Sequence, residues 1–405
     1  MVPNGWKEIK LKDIGLCITG LTYSPKNVVE NGLLVLRSSN VQGSKLAFED
    51  NVYVNLEIAE KAKTKYGDIL LCVRNGSRRL IGKSALINKT SEGYAHGAFM
   101  GLFRSKDTPE YTFQMFQSSR FFQQVNQNIG ATINSINSGN LYHFKFPYPP
   151  ITERNRIAKI LGTWDKAMST TERLIDNSKQ QKKALMQQLL TGKKRLIDDS
   201  GKPFDGEWEE VTIGSTSKCF SGGTPSRSKE EYYGGDIPWI TSGKLNDRFV
   251  TSVKEYISEL GLKNSSAKVV KNGSLLIAMY GATAGKVAVN KLNGATVNQA
   301  VLALEPNKHC HNLFLFYLFE VEMVKALKLV QGGQPNLSAA IIKGIKIKLP
   351  SLTEQRKIAV ILTNAEKEVE LLEQQCAHLK QEKKALMQQL LTGKRRVKVD
   401  ITEAA

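Results

Sequence analysis

The chain has 405 residues, of which 41% are hydrophobic and 23% charged, a composition that excludes a disordered polymer and a length that suits two domains better than one core. Its formal net charge of +19 favours polyanions such as nucleic acid or an anionic membrane surface. No apolar run reaches the roughly 18 residues needed to span a bilayer, and MVPNGWKEIK lacks the apolar core of a secretion signal, so membrane contact is not expected.

In chain order, the first stretch (1–149) mixes short apolar runs, Leu33–Leu36 and Ile69–Val73, with polar turn clusters and a helical stretch near Tyr111–Gln124. A long helix is expected over 150–196. Pro150 suits its start, and Gly192 followed by basic residues suits its end. Asp198-Asp199-Ser200-Gly201-Lys202-Pro203 reads as a linker opening a second domain, 197–349, with a strand at Leu275–Met279 and a helix at His311–Leu329. A second long helix is expected over 350–397, entered through Ser351-Leu352-Thr353-Glu354, a possible capping box, and stopped at Gly393; 398–405 is a tail. The fold class is therefore mixed α/β, two domains in tandem joined by two long helices.

Both helices carry a heptad stripe. Ile157, Leu161, Trp164, Met168, Thr171, Ile175, Ser178, Lys182, Leu185 and Leu189 match Ile358, Leu362, Ala365, Val369, Leu372, Cys376, Leu379, Lys383, Leu386 and Leu390 in register. Such stripes are expected to pair as an antiparallel coiled coil within the chain.

The chain is an internal duplication. Lys182 to Lys193 equals Lys383 to Lys394 at all twelve positions. The fronts repeat only faintly: Trp6 corresponds to Trp208, Val35–Asn40 to Trp239–Lys244, Asp68–Val73 to Ser274–Met279, and Gly82-Lys83 to Gly285-Lys286. Rears held alike suit two copies of one partner, or each other. Fronts that diverge suit two different targets. Packing alone would preserve a buried stripe, yet Gln187 and Gln188 recur as Gln388 and Gln389 alongside Leu185, Leu189, Leu386 and Leu390. These eight are the candidate partner contacts.

Turn clusters at matching places supply donors for DNA. In the first domain they offer Arg37, Ser38, Asn40, Arg74, Asn75, Arg78, Arg79 and Asn134; in the second, Thr224, Arg227, Thr241, Lys244, Tyr280, Thr283, Gln334 and Asn336. Lys83 and Lys286 lie on a shared Gly-Lys turn, either a DNA-backbone contact or a structural element. The stretch ending Gly82-Lys83-Ser84 resembles a phosphate-binding P-loop, but the first glycine of that motif would fall on Ser77, and the second copy lacks the hydroxyl. An ATPase using Lys83 and Lys286 is the enzymatic alternative. His309-Cys310-His311 has no further ligands around it and reads as a loop. His96, His143 and His378 lack nucleophile partners. Five scattered cysteines without a Cys-x-x-Cys pair suit reduced thiols in the cytoplasm. No catalytic, metal or cofactor site is expected in this chain.

Two diverged modules, each opened by a Trp-containing segment and each closed by a helix ending Lys-Lys-Ala-Leu-Met-Gln-Gln-Leu-Leu-Thr-Gly-Lys, resemble the specificity subunit of type I restriction-modification systems. SGGTPSR…DIPWITSG and GATAGKVAV…NQAVLAL of the second module fit the target recognition domains of that family. The first module departs more, its Arg74–Ile81 stretch being longer. The resemblance implies two target recognition domains reading the halves of a bipartite double-stranded DNA site, with the helices as spacer. It also implies two modification subunits that carry S-adenosylmethionine and methylate adenine, and restriction subunits that use ATP with Mg²⁺. None of that catalysis would reside here. An orphan regulatory member of the family and a coiled-coil scaffold are the remaining alternatives.

Overall fold

In the computed structural model, which describes residues 2–130, 134–329 and 336–398, the chain divides into two compact units, Met1–Arg173 with Glu373–Ala405, and Leu174–Leu372.

The first unit is built on a four-stranded antiparallel sheet, Gly15–Thr19, Met100–Ser105, Ile69–Cys72 and Ser84–Leu86 in spatial order. Every residue of Ile69–Cys72 is buried, as a central strand covered on both faces requires. A second sheet pairs Leu33–Leu36 with Tyr53–Val54 and, in parallel, with Ala95–His96. The helical stretch expected near Tyr111–Gln124 is two helices, Pro109–Phe116 and Ser119–Asn128. Ser118 is extended, and its hydroxyl accepts the Phe121 N–H at 3.2 Å, starting the second helix as an N-cap. The rings of Phe116 and Phe121 stack across this break at 4.7 Å.

The second unit repeats the plan. Its main sheet orders Ser217–Ser221, Val301–Pro306, Leu275–Ala278, Val287–Asn290 and Phe249–Val250. Tyr233–Ile240 runs parallel to Thr296–Val297, as Leu33–Leu36 does to Ala95–His96. The helix Asn312–Leu329 is buried from Phe314 to Phe319.

Two helices of 39 residues each, Ile151–Leu189 and Leu352–Leu390, complete the units. In the first unit Asp165 meets Lys383 at 2.6 Å, Glu172 meets Lys380 at 3.0 Å, and Glu153 meets Arg396. In the second unit Lys182 meets Glu366 at 3.0 Å, Ser178 meets Glu368 at 3.2 Å, and Arg195 meets Glu354 at 2.8 Å. Within each unit the first partner's number rises broadly as the second's falls, so the paired segments are antiparallel. Ile157, Leu161, Ile175, Leu189, Ile358, Leu362, Val369, Cys376 and Leu390 are buried along the seam. Lysines enter it only with carboxylate partners, as the desolvation of an ammonium demands.

The helix endings have a definite packing role. Gly192 and Gly393 both have φ +70°, a left-handed stop available to glycine at little cost. The Trp6 ring lies against Gly393 and donates Nε1–H to Glu153 at 3.3 Å, with Arg396 at 5.6 Å from its centroid. Trp208 lies against Gly192 with Arg195 at 5.9 Å. Each module is thus anchored by its opening tryptophan to a helix ending, where Arg396 and Arg195 pair with Glu153 and Glu354 at the start of the other helix.

Candidate nucleic-acid interface

Strand directions decide which loops meet. In the first unit Gly15–Thr19 and Ile69–Cys72 both run antiparallel to Met100–Ser105. Their C-terminal ends and its N-terminal end therefore share one edge. Leu33–Leu36 and Ala95–His96 deliver Arg37 and Gly97 to the same edge, because Gly97 N–H donates to Leu36 O at 2.9 Å and the turn Gly97–Met100 leads into the main sheet. Gly20 passes so close to the Gly97 carbonyl that no Cβ would fit. The same geometry in the second unit brings together the loops after Ser221, Ile240, Val297 and Ala278, with Gly222 pressed on the Val297 carbonyl.

A common hydrogen-bond frame underlies both mouths. Gly97 N–H to Leu36 O corresponds to Asn298 N–H to Ile240 O. Val73 N–H to Phe99 O corresponds to Met279 N–H to Ala300 O. Ile136 N–H to Val73 O corresponds to Leu337 N–H to Met279 O, and Gly82 N–H to Cys72 O corresponds to Gly285 N–H to Ala278 O. On this frame Arg37 stands where the second unit has Thr241, Arg74 where it has Tyr280, and Phe99 where it has Ala300.

In the first mouth Arg37 pairs with Asp50 at 2.7 Å, while its buried Nε and the Ser39 hydroxyl have no partner among the described residues. Both residues line a cavity of about 490 Å³ together with Tyr23, Asp50 and Phe99. Asn75 donates to the Ser38 hydroxyl at 3.1 Å, and Asn134 donates to Gly76 O at 3.0 Å. Arg74 and Arg79 are exposed, and Arg78 reaches Asn126 O at 3.0 Å.

Two expected DNA contacts in this mouth need correction. Asn40 is fully buried. It accepts the Arg37 N–H at 2.9 Å and donates to Ala47 O, Asp50 O and Asn51 at 2.9–3.2 Å, so no donor or acceptor remains for a base. Lys83 is half-buried and spends its ammonium on the carbonyls of Ser38 and Val41, the latter at 2.8 Å, so it is a clamp on the Arg37 loop. Its counterpart Lys286 is exposed and has no partner among the described residues. The Gly-Lys turn itself is structural: Gly82 and Gly285 take φ +89° and +77° to close the hairpins.

In the second mouth Thr224 donates to Gln299. Arg227 pairs with Glu255 at 2.8 Å and lies 4.5 Å from the Tyr233 ring centroid and 5.1 Å from that of Trp239. Thr241 precedes the turn Ser242–Asn246, and Lys244 pairs with Asp247 at 2.6 Å. Tyr280 is 40% exposed and bridges to Asn336; Thr283 closes the turn Gly281–Thr283. Gln334 lies outside the described residues. Phe99, Gln299 and the Tyr233/Trp239 pair were not singled out from sequence. The signal that could have marked Phe99 is an aromatic in a glycine-containing turn before an apolar strand, a pattern that composition alone does not separate from core.

Of the candidate partner contacts, Gln187, Gln188, Gln388 and Gln389 are exposed. With Lys183 and Ala184, and with Lys384 and Ala385, they form one helix face in each copy, since residues four apart lie above one another. Leu189 and Leu390 are 1% and 2% exposed and belong to the cores, which removes them from that face; Leu185 and Leu386 are half-buried against the same cores.

Among the described residues no His, Cys, Asp or Glu cluster could hold a metal, and no helix is long and apolar enough to cross a membrane. Burial pushes the Cys17 and Cys310 thiols up to about 11 and lowers the His96 and His311 imidazoles.

The family model for the type I restriction modification DNA specificity domain matches residues 3–178 and again residues 205–381. The chain belongs to this family. Its members are the DNA-specificity components of type I restriction-modification systems, without a catalytic centre of their own. The type I restriction enzyme MjaVIII specificity subunit of Methanocaldococcus jannaschii is 27% identical over 98% of this chain and 94% of its own. The EcoR124I/EcoR124II specificity subunit of Escherichia coli is 30% identical over 39% of this chain and 41% of its own. Among solved structures, the type I restriction-modification S subunit from M. genitalium covers 96% of this chain and 98% of its own with a TM-score of 0.60 at 14% identity, a likeness of fold.

Proposed function

We propose that the chain reads a bipartite, asymmetric double-stranded DNA site, one half with each loop mouth. Residues 1–149 and 197–349 act as the two recognition domains. The helices, 150–196 and 350–397, set the gap and offer two equal glutamine-bearing faces to two modification subunits. Those subunits bind S-adenosylmethionine, and restriction subunits joining the complex bind ATP and Mg²⁺; the assembly works in the cytoplasm. The proposed base and phosphate contacts are Arg37, Ser38, Arg74, Asn75, Arg78, Arg79 and Asn134 in one mouth. In the other they are Thr224, Arg227, Thr241, Lys244, Tyr280, Thr283, Lys286 and Asn336, with Gln334.

One observation carries this reading: an equivalent backbone frame presents different side chains at equivalent places. A shared frame docks equally on two stretches of backbone, while Arg37 against Thr241 and Arg74 against Tyr280 favour different base edges. The test is selection of random duplexes by the full chain assembled with its modification subunits, followed by footprinting. Two short protected blocks of different sequence at a fixed gap support the reading. Sequence-independent protection would leave only a scaffold that binds DNA through charge.

A further inference from the structure

We propose that Phe99, backed by Arg74, is a stacking wedge that opens a base step in the first half-site, a distortion the second unit does not make through the equivalent position. The inference rests on the reading of the loop mouths as the DNA face.

Phe99 is 56% exposed, among the more open of the large apolar side chains in the described residues. Its backbone is nevertheless held firmly. Its carbonyl accepts two N–H groups, from Val73 and Arg74, each at 3.0 Å, and the turn is closed by Met100 N–H to Gly97 O at 2.8 Å. With its backbone fixed in the turn, the ring leaves more than half of its surface open to solvent. A ring held open in this way is available to a partner outside the chain, and its cationic neighbour sets it apart from the other exposed apolar side chains.

The surroundings state what that partner is. The Arg74 guanidinium stands 5.2 Å from the ring centroid. It holds the ring through the attraction of a cation for a π face, and its N–H edges remain available to phosphate. Arg37 and Asn75 flank the same edge of the sheet, so the ring projects from a surface rich in donors for nucleic acid. An apolar ring among phosphate-seeking cations is the composition of side chains that enter a base step and unstack it, or that carry an unpaired base on their face. A ring that only touched a thymine methyl in the groove would need no cation against it.

The second unit keeps the frame and loses the wedge. The carbonyl that receives Met279 N–H belongs to Ala300, whose methyl is too short to reach between bases. Distortion driven from this position is thus confined to one half of the site, which makes recognition asymmetric in DNA shape as well as in sequence.

The experiment uses the full chain with its modification subunits on duplexes of the mapped target carrying 2-aminopurine at each position in turn. A site in the first half should brighten on binding by wild type. It should lose that increase in Phe99→Ala, keep most of it in Phe99→Leu, and be unaffected by Ala300→Gly. Affinity for the target should fall roughly ten- to a hundredfold in Phe99→Ala, while an abasic nucleotide at the unstacked position should restore part of it. Unchanged fluorescence in Phe99→Ala overturns the wedge. So does a loss of affinity confined to one T·A pair with no brightening in wild type, which would mark a groove contact. Failure of the underlying reading has a different signature: wild type would not distinguish the mapped target from a scrambled duplex.

Discussion

Lys83 and Lys286 occupy equivalent places after the same left-handed glycine, yet their surroundings assign them opposite work. Lys83 gives its ammonium to two backbone carbonyls, of Ser38 and Val41. Hydrogen bonds from a charged donor contribute about 1.5–3 kcal/mol each. Because the side chain is half-exposed and water can reach the vacated carbonyls, Lys83→Ala should cost about 2–3 kcal/mol in total. For a unit of this size, roughly 2–4 °C accompanies each kcal/mol, so the first unit's melting transition should drop by about 5–10 °C. Lys286→Ala should stay within about 0.5 kcal/mol of wild type. On DNA the order reverses. Losing one phosphate contact lowers the slope of log affinity against log salt by about 0.9, and this is expected for Lys286→Ala. Lys83→Ala weakens binding by loosening the Arg37 loop but keeps the slope. Calorimetric scans through the transition, and salt-titrated binding at a temperature below the lower melting point, separate the two. An unchanged melting point for Lys83→Ala together with a reduced slope would refute the assignment.

Arg195→Ala leaves Glu354, 1% exposed, without its cation, and Arg396→Ala does the same to Glu153 at 8%. Each should cost about 2–4 kcal/mol in urea denaturation, somewhat below the fully buried figure because both guanidiniums keep solvent contact. Deleting one heptad from each long helix keeps the seam in register and removes about 10 Å of rise. The preferred gap between half-sites should shorten by roughly three base pairs, and a footprint with the original gap would remove the spacer role. Replacing Gln187, Gln188, Gln388 and Gln389 by alanine should abolish co-purification of modification subunits without changing the melting curve, whereas the first pair alone should leave one copy bound. Cys17 and Cys310 have thiols raised from 9.0 to about 11 by burial. A raised acid pKa depletes the thiolate, so at pH 9 the native chain should alkylate at these positions about fiftyfold more slowly than the denatured chain. Mass-spectrometric labelling reads this directly, and equal rates would contradict the burial.

The helices were legible because their signals are local. A seven-residue stripe, a proline before the start and a glycine after the end all act within a turn or two. The Ser351 hydroxyl does accept the Glu354 N–H, at 3.3 Å, as the capping pattern implies. Its other half is overridden, since Glu354 turns its carboxylate to Arg195, far off in sequence. The same limit governs the mouths. Arg37-Ser38-Ser39-Asn40 reads as one solvated loop, and nothing within it tells that Asn40 closes the loop from beneath while Arg37 stays at the rim. That distinction comes from Ala47, Asp50 and Asn51 folding over it. Leu189 and Leu390 pose the complementary problem. Identity between the copies marks both exposed glutamines and core leucines, and only burial separates them. Phe99 is not legible because composition does not distinguish an aromatic beside an apolar strand from core, while its backbone hydrogen bonds keep it in the turn.

The central claim is that one frame with two sets of side chains reads two different half-sites. Genome-wide mapping of methyladenine tests it most directly, in cells carrying the wild-type chain, no chain, and chains bearing Arg37→Ala with Arg74→Ala or Thr241→Ala with Tyr280→Ala. The account predicts a bipartite motif that requires the chain, with the first pair of substitutions relaxing one half and the second pair relaxing the other. A motif that changes in both halves with either pair, or that persists without the chain, would contradict it.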